Sequence, residues 1–60
     1  MIYYDIWGRP KQDNNYKREE LLDRANSKEE AENKAKVLRN IQYFRKWSLW
    51  IEQSFIIHLH

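Results

Sequence analysis

The side chains that could perform chemistry are few. The chain has no cysteine, which excludes a thiol nucleophile, a disulfide and a cysteine zinc site. Its two histidines, His58 and His60, lie at the C-terminal end. Both rings would face the same side of a strand, but two imidazoles alone form an incomplete metal site. We therefore assign neither a metal nor a cofactor.

Asp5 is the one acid inside a segment rich in aromatic residues, Ile2 to Trp7. We expect it to pair with Lys46 across a sheet, since opposite charges on neighbouring strands stabilise each other. The single glycine excludes a glycine-rich phosphate loop. Because no base, nucleophile and orienting group converge, we predict that the protein is not an enzyme.

Composition indicates one small domain over residues 1–60. The net charge is +2, with 33% charged and 42% hydrophobic residues, which is typical of a folded chain rather than a disordered one. Aromatic residues make up 15% and supply much of the area that so short a chain can bury. No apolar run approaches the ~20 residues of a membrane span, and no export signal is evident, so we expect a cytoplasmic protein.

Two segments that precede the predicted helix are candidate strands. Alternating β-branched and aromatic residues predict a strand over 2–8, ended by Gly8 and Pro10. Residues 18–24 are ambiguous, because their composition favours helix while their position favours strand. We predict a second strand there and keep a short separate helix over 17–25 as the alternative.

The most distinct pattern is a helix over residues 28–40. Ser27 and Glu30 form a capping box at its start. Ala31, Ala35 and Leu38 then form an apolar stripe at helical spacing. The two small alanines would allow close approach to a sheet.

The alternation of apolar and polar residues predicts a third strand over 44–53. An apolar tail follows over 55–60, which is either a short extra strand or a segment that pairs with another chain. Short connections between neighbouring elements favour an α+β fold with ββαβ order and a three-stranded antiparallel sheet of order 2-1-3. The helix would pack on one face of that sheet.

The opposite face would carry aromatic side chains that the helix does not cover, including Phe44. Exposed apolar patches mark interfaces, and Trp and Tyr are frequent anchors there. The sequence thus favours a protein-interaction module that forms a homodimer or binds another protein. The residues expected to bind are Tyr3, Trp7, Trp50, Phe55 and Ile57.

The alternative function is binding of single-stranded nucleic acid. The predicted topology collects basic residues at one end of the domain, where they could contact phosphates while nearby aromatic rings stack on bases. These basic residues are Arg9, Lys11, Arg39, Arg45 and Lys46. The small net charge and the absence of a known nucleic-acid signature weigh against this alternative.

Overall fold

The computed structural model describes residues 1–11 and 19–55. Within these ranges, the strands and the α-helix in chain order are β1 (Ile2–Pro10), β2 (Glu20–Ala25), α1 (Lys28–Asn40) and β3 (Trp47–Phe55). The three strands form one antiparallel sheet of order β2-β1-β3, and α1 packs against one face of it. The predicted α+β fold, with ββαβ order and a central β1, is confirmed.

β1 continues two residues beyond its predicted end and includes Pro10. Pro10 lies opposite Trp47, and the next pair is joined by the Lys11 N–H, which donates to the Lys46 carbonyl at 2.8 Å. Bonded and non-bonded pairs alternate along an antiparallel ladder. Pro10 therefore belongs to a non-bonded pair. Because its backbone nitrogen would not donate to β3 in any case, the missing N–H costs no hydrogen bond between β1 and β3.

Gly8 lies within β1 at a position where neighbouring side chains approach the backbone closely. A Cβ at this position would lie 2.8 Å from Leu22 Cδ1 and 3.3 Å from the Trp47 ring. The glycine lets these two side chains, one from each neighbouring strand, close over β1. The register between β1 and β2 also shifts here, so that Leu22 forms a β-bulge in β2.

β2 is a strand, as predicted, and the alternative of a short helix over this segment is wrong. It spans Glu20–Ala25 rather than 18–24, and residue 18 lies outside the described residues. Pairing with β1 and the burial of Ala25, which is 1% exposed, outweigh the helix propensity of the segment.

α1 has the predicted bounds and the predicted cap. Ser27 Oγ accepts a hydrogen bond from the Glu30 N–H at 3.1 Å. Ala31 and Ala35 are fully buried, and their small side chains let the helix backbone approach the sheet. Together with Ile6 of β1 and Ala25 of β2 they form the centre of the core. The core is small, because Ile6 is its one large side chain that is fully buried among the described residues.

β3 begins three residues later than predicted and ends two residues later, at Phe55. Residues Gln42–Phe44 form a short 3-10 helix instead. The ring of Phe44 packs edge-on against Trp47, with centroids 5.1 Å apart. The apolar tail predicted over 55–60 thus starts inside β3, and residues 56–60 lie outside the described part of the chain.

Candidate interaction surface

The sheet has an inner face, against α1, and an outer face that no described element covers. On β1 the inner face carries Tyr4 and Ile6, which pack in or against the core. Side chains alternate along strands, and directly paired residues point to the same side. The outer face therefore carries Tyr3, Asp5 and Trp7 of β1, Arg24 of β2, and Trp50, Glu52 and Ser54 of β3.

The centre of the outer face is polar. Asp5 is only 4% exposed, and its carboxylate accepts hydrogen bonds from Arg24 Nε at 2.6 Å and Nη2 at 3.3 Å. The Ser54 hydroxyl donates to the same carboxylate at 3.0 Å. One residue from each strand thus joins a single network, which satisfies the buried charge.

The electrostatics of this network follow from its geometry. The hydrogen bonds from Arg24 hold the pKa of Asp5 below its ordinary value, although burial opposes them, and Ser54 adds to the lowering. In return, the hydrogen bond to Asp5 raises the pKa of Arg24. An acid whose charged form is this well stabilised is a poor proton donor at neutral pH, so the site is suited to structure rather than to acid catalysis.

The expected ion pair between Asp5 and Lys46 is wrong. Asp5 lies directly opposite Arg24 in the register of β1 and β2, whereas Lys46 pairs with Lys11 at the far end of the sheet. Sequence reasoning missed Arg24 because β2 was the least certain element. The useful signal was the lone acid in a central strand, which needs a cation from a neighbouring strand.

The aromatic residues of the outer face fall into two groups on either side of this polar centre. At one end the Tyr3 ring lies under the Arg24 guanidinium, 4.9 Å from its centroid, in a cation–π contact. At the other end Trp7 of β1 lies directly opposite Trp50 of β3, and both side chains are half-buried. Trp50 Nε1 donates to Glu52 at 3.2 Å.

Two of the predicted aromatic positions are not on this face. Phe44 belongs to the 3-10 helix and packs against Tyr43 and Trp47, so its expected place beside Trp50 is wrong. Phe55 is 64% exposed, but it lies opposite Ile2, on the helix side of the sheet. Ile57 lies outside the described residues. The structure therefore brings together Trp7 and Trp50, with Tyr3 further along the same face.

The basic residues meet at one end of the sheet, as the topology predicted. The 2.8 Å hydrogen bond between the backbones of Lys11 and Lys46 places these two lysines side by side. Arg9 lies two residues before Lys11 on the outer face of β1, opposite Ser48 of β3.

The other two arginines of this end lie outside β1. Arg39 reaches from the end of α1 to the carbonyl of Leu49 in β3 at 3.5 Å. Arg45 is the residue before Lys46, in the connection to β3. Tyr43, 70% exposed, and Trp47 supply rings at this end.

A groove of about 450 Å³ lies between β2 and α1. Three of its charged groups bind one another: Lys34 Nζ is 3.3 Å from Glu30 and 3.5 Å from Asp23, and it donates to the Arg24 carbonyl at 2.9 Å. The hydrogen bond to Glu30 raises the pKa of Lys34. These contacts tie the helix to β2 and satisfy the charge of the lysine in the groove.

Comparison of the chain with models of protein families, with curated proteins and with solved structures finds no match. In the described residues, no helix is both long enough and apolar enough to cross a membrane.

Proposed function

We propose that the protein is a non-enzymatic interaction module of the cytoplasm that self-associates through the surface around Trp50. The observation that carries this proposal is the pair formed by Trp7 and Trp50, which lie opposite each other on a sheet face that no described element covers. Neighbouring Trp side chains with a polar surround are typical of the anchors that dominate binding at interfaces.

The polar centre of the outer face supports this role. The Asp5 network is satisfied internally by Arg24 and Ser54. A second copy that packs beside Trp50 would thus meet no unpaired buried charge at this point, and the cost of desolvation is reduced.

The proposal is tested by measuring association with light scattering at micromolar concentrations. Trp50→Ala is expected to weaken association by more than about ten-fold, as for an interface anchor. Tyr43→Ala is the matched control, because Tyr43 is an exposed aromatic residue outside the outer face. A wild-type protein that stays monomeric, or equal losses in the two variants, would remove the proposal.

A second candidate function is binding of single-stranded nucleic acid at the basic end. It is favoured by the adjacency of Lys11 and Lys46 and by the exposed ring of Tyr43 close by in the chain. Anisotropy of a labelled oligothymidine at low salt tests it. Lys46→Glu should abolish binding, while Lys36→Glu, on the exposed side of α1, should reduce it only slightly. Absence of binding to the wild type would end this candidate.

A further inference from the structure

Among the residues that the structure describes, no strand pairs with the outer edge of β3, which presents a regular row of backbone N–H and C=O groups. Because the Lys11 N–H bonds to the Lys46 carbonyl, the alternation of the ladder directs the N–H and C=O of even-numbered residues, Ser48 to Ser54, toward β1. The odd-numbered residues of β3 direct theirs away from the sheet. Arg39 confirms this phase independently, since its Nη2 reaches the carbonyl of Leu49 at 3.5 Å.

This edge lacks the features that normally prevent strands from pairing. β3 has nine residues, and Glu52 is the single charged side chain among them. It contains no proline and pairs with β1 without a bulge. Natural edge strands are usually short, charged, bulged or covered. Among the described residues, Arg39 is the one side chain with a hydrogen bond to the outward groups of β3.

β3 is also complementary to the β3 strand of a second copy that runs antiparallel to it. An antiparallel pair centred on Ile51 would oppose Trp47 to Phe55 and Ser48 to Ser54 of the second copy. In the same register Trp50 would lie opposite Glu52, whose carboxylate already accepts from that indole within one chain. Every residue of β3 would have a partner.

Other registers are less favourable. A shift that centres the pair on Glu52 would oppose two carboxylates, and like charges opposite each other destabilise a sheet. A shift centred on Trp50 would leave the end of β3 beyond Gln53 without a strand partner. Charge and length therefore both select the register centred on Ile51.

We infer that two copies of this chain pair through the β3 edges, antiparallel and centred on Ile51, to form one six-stranded sheet. The inference rests on the proposed self-association and specifies its geometry. The two-fold axis would be perpendicular to the sheet, which places both helices on one side and both outer faces on the other. Trp7 and Trp50 of each copy would then form one continuous surface across the seam.

Cysteine cross-linking tests the register, and the chain has no cysteine to interfere. Ser48 and Ser54 of the second copy would form a non-bonded pair, with Cα atoms about 4.5 Å apart, within the range of about 4.4–6.8 Å for a disulfide. Ser48→Cys and Ser54→Cys are made separately, mixed under exchange conditions and oxidised. The mixture should give a covalent heterodimer, whereas each variant alone should not, because identical positions are far apart in this register.

The controls separate the possible failures. A heterodimer between Ser48→Cys and Glu52→Cys instead would mean a register centred on Trp50 and would overturn the inference. A dimer by light scattering that forms none of these cross-links would preserve the proposed self-association and refute the pairing centred on Ile51. A monomer at all concentrations would refute both.

Discussion

The two edge strands of the sheet differ in length, charge and regularity. β2 has six residues, three of them charged, and carries a bulge at Leu22. Its Arg24 side chain is bound to Asp5, and its backbone is tied to α1 through Lys34. β3 has nine residues, one charge and an uninterrupted register with β1. β2 therefore has several of the protective features of an edge strand, whereas β3 has the features of a strand that pairs on both sides.

Under the proposed self-association, this contrast would restrict pairing to one edge of the sheet. Sixty residues bury little surface, and the core holds one large side chain that is fully buried among the described residues. Pairing of β3 would add burial where the single chain is least protected. The charges and the bulge of β2 would stop the same pairing from continuing at the other edge into an open-ended assembly.

The largest expected effect comes from a single proline in β3, and two adjacent positions should respond differently. Glu52→Pro removes an N–H that bonds to β1, and we expect it to lower the melting temperature by more than about 10 °C. Gln53→Pro removes an N–H that faces the free edge, so it should preserve the fold and weaken association. Circular dichroism and light scattering measure the two effects. Equal loss of fold in both variants would contradict the phase assigned to β3.

The next effect concerns the attachment of β2. Asp5→Ala leaves Arg24 and Ser54 without their shared acceptor, and we expect a loss of about 2 kcal/mol in the free energy of unfolding. This corresponds to roughly 10 °C in melting temperature. Hydrogen exchange should accelerate in β2 more than in β3. A uniform acceleration in both strands would show that the network stabilises the whole sheet rather than the β2 edge.

The same network has a defined pH dependence. The pKa of Asp5 is lowered in the folded protein, so its stabilisation is present above the value of the unfolded chain and is lost as the pH falls through the folded value. The difference in melting temperature between the wild type and Asp5→Asn should be constant from about pH 5 to 8 and shrink below about pH 4. A constant difference down to about pH 2 would contradict the assigned ion pair.

A smaller effect is expected at Gly8, where β2 and β3 side chains meet. Gly8→Ala brings a methyl group to 2.8 Å from Leu22 Cδ1, and we expect a cost of about 1 kcal/mol as that side chain moves. Thermal unfolding measures the cost. The cost of Gly8→Ala should be smaller when it is measured in a Leu22→Ala background. An equal cost in both backgrounds would mean that Ser48 or Trp47 is the limiting neighbour.

Most of the fold was predictable because its signals are local. The cap at Ser27 and the spacing of Ala31 and Ala35 defined α1 within a residue, and alternation defined most of β1. The start of β3 was predicted wrongly because Phe44 and Lys46 extend the alternation of the strand back to residue 44, while the packing of Phe44 on Trp47 favours a 3-10 turn. That contact joins residues only three positions apart, a spacing that strand alternation does not take into account.

The candidate surface was predicted only in part. Trp7 and Trp50 lie together because they are directly paired across β1 and β3 and both face outward. The alternation of side chains and the order of the strands imply this arrangement. The partner of Asp5 depends on the register between β1 and β2, which a bulge shifts and no sequence pattern reveals. The polar network that divides the aromatic face was missed for this reason.

Sedimentation equilibrium of the wild type over a range of micromolar concentrations is the decisive test of self-association. Pairing through β3 predicts a mass that rises toward twice the 7.5 kDa of one chain, and Gln53→Pro should shift that rise to higher concentration. A mass that stays at the single-chain value throughout, with the fold intact, would contradict it.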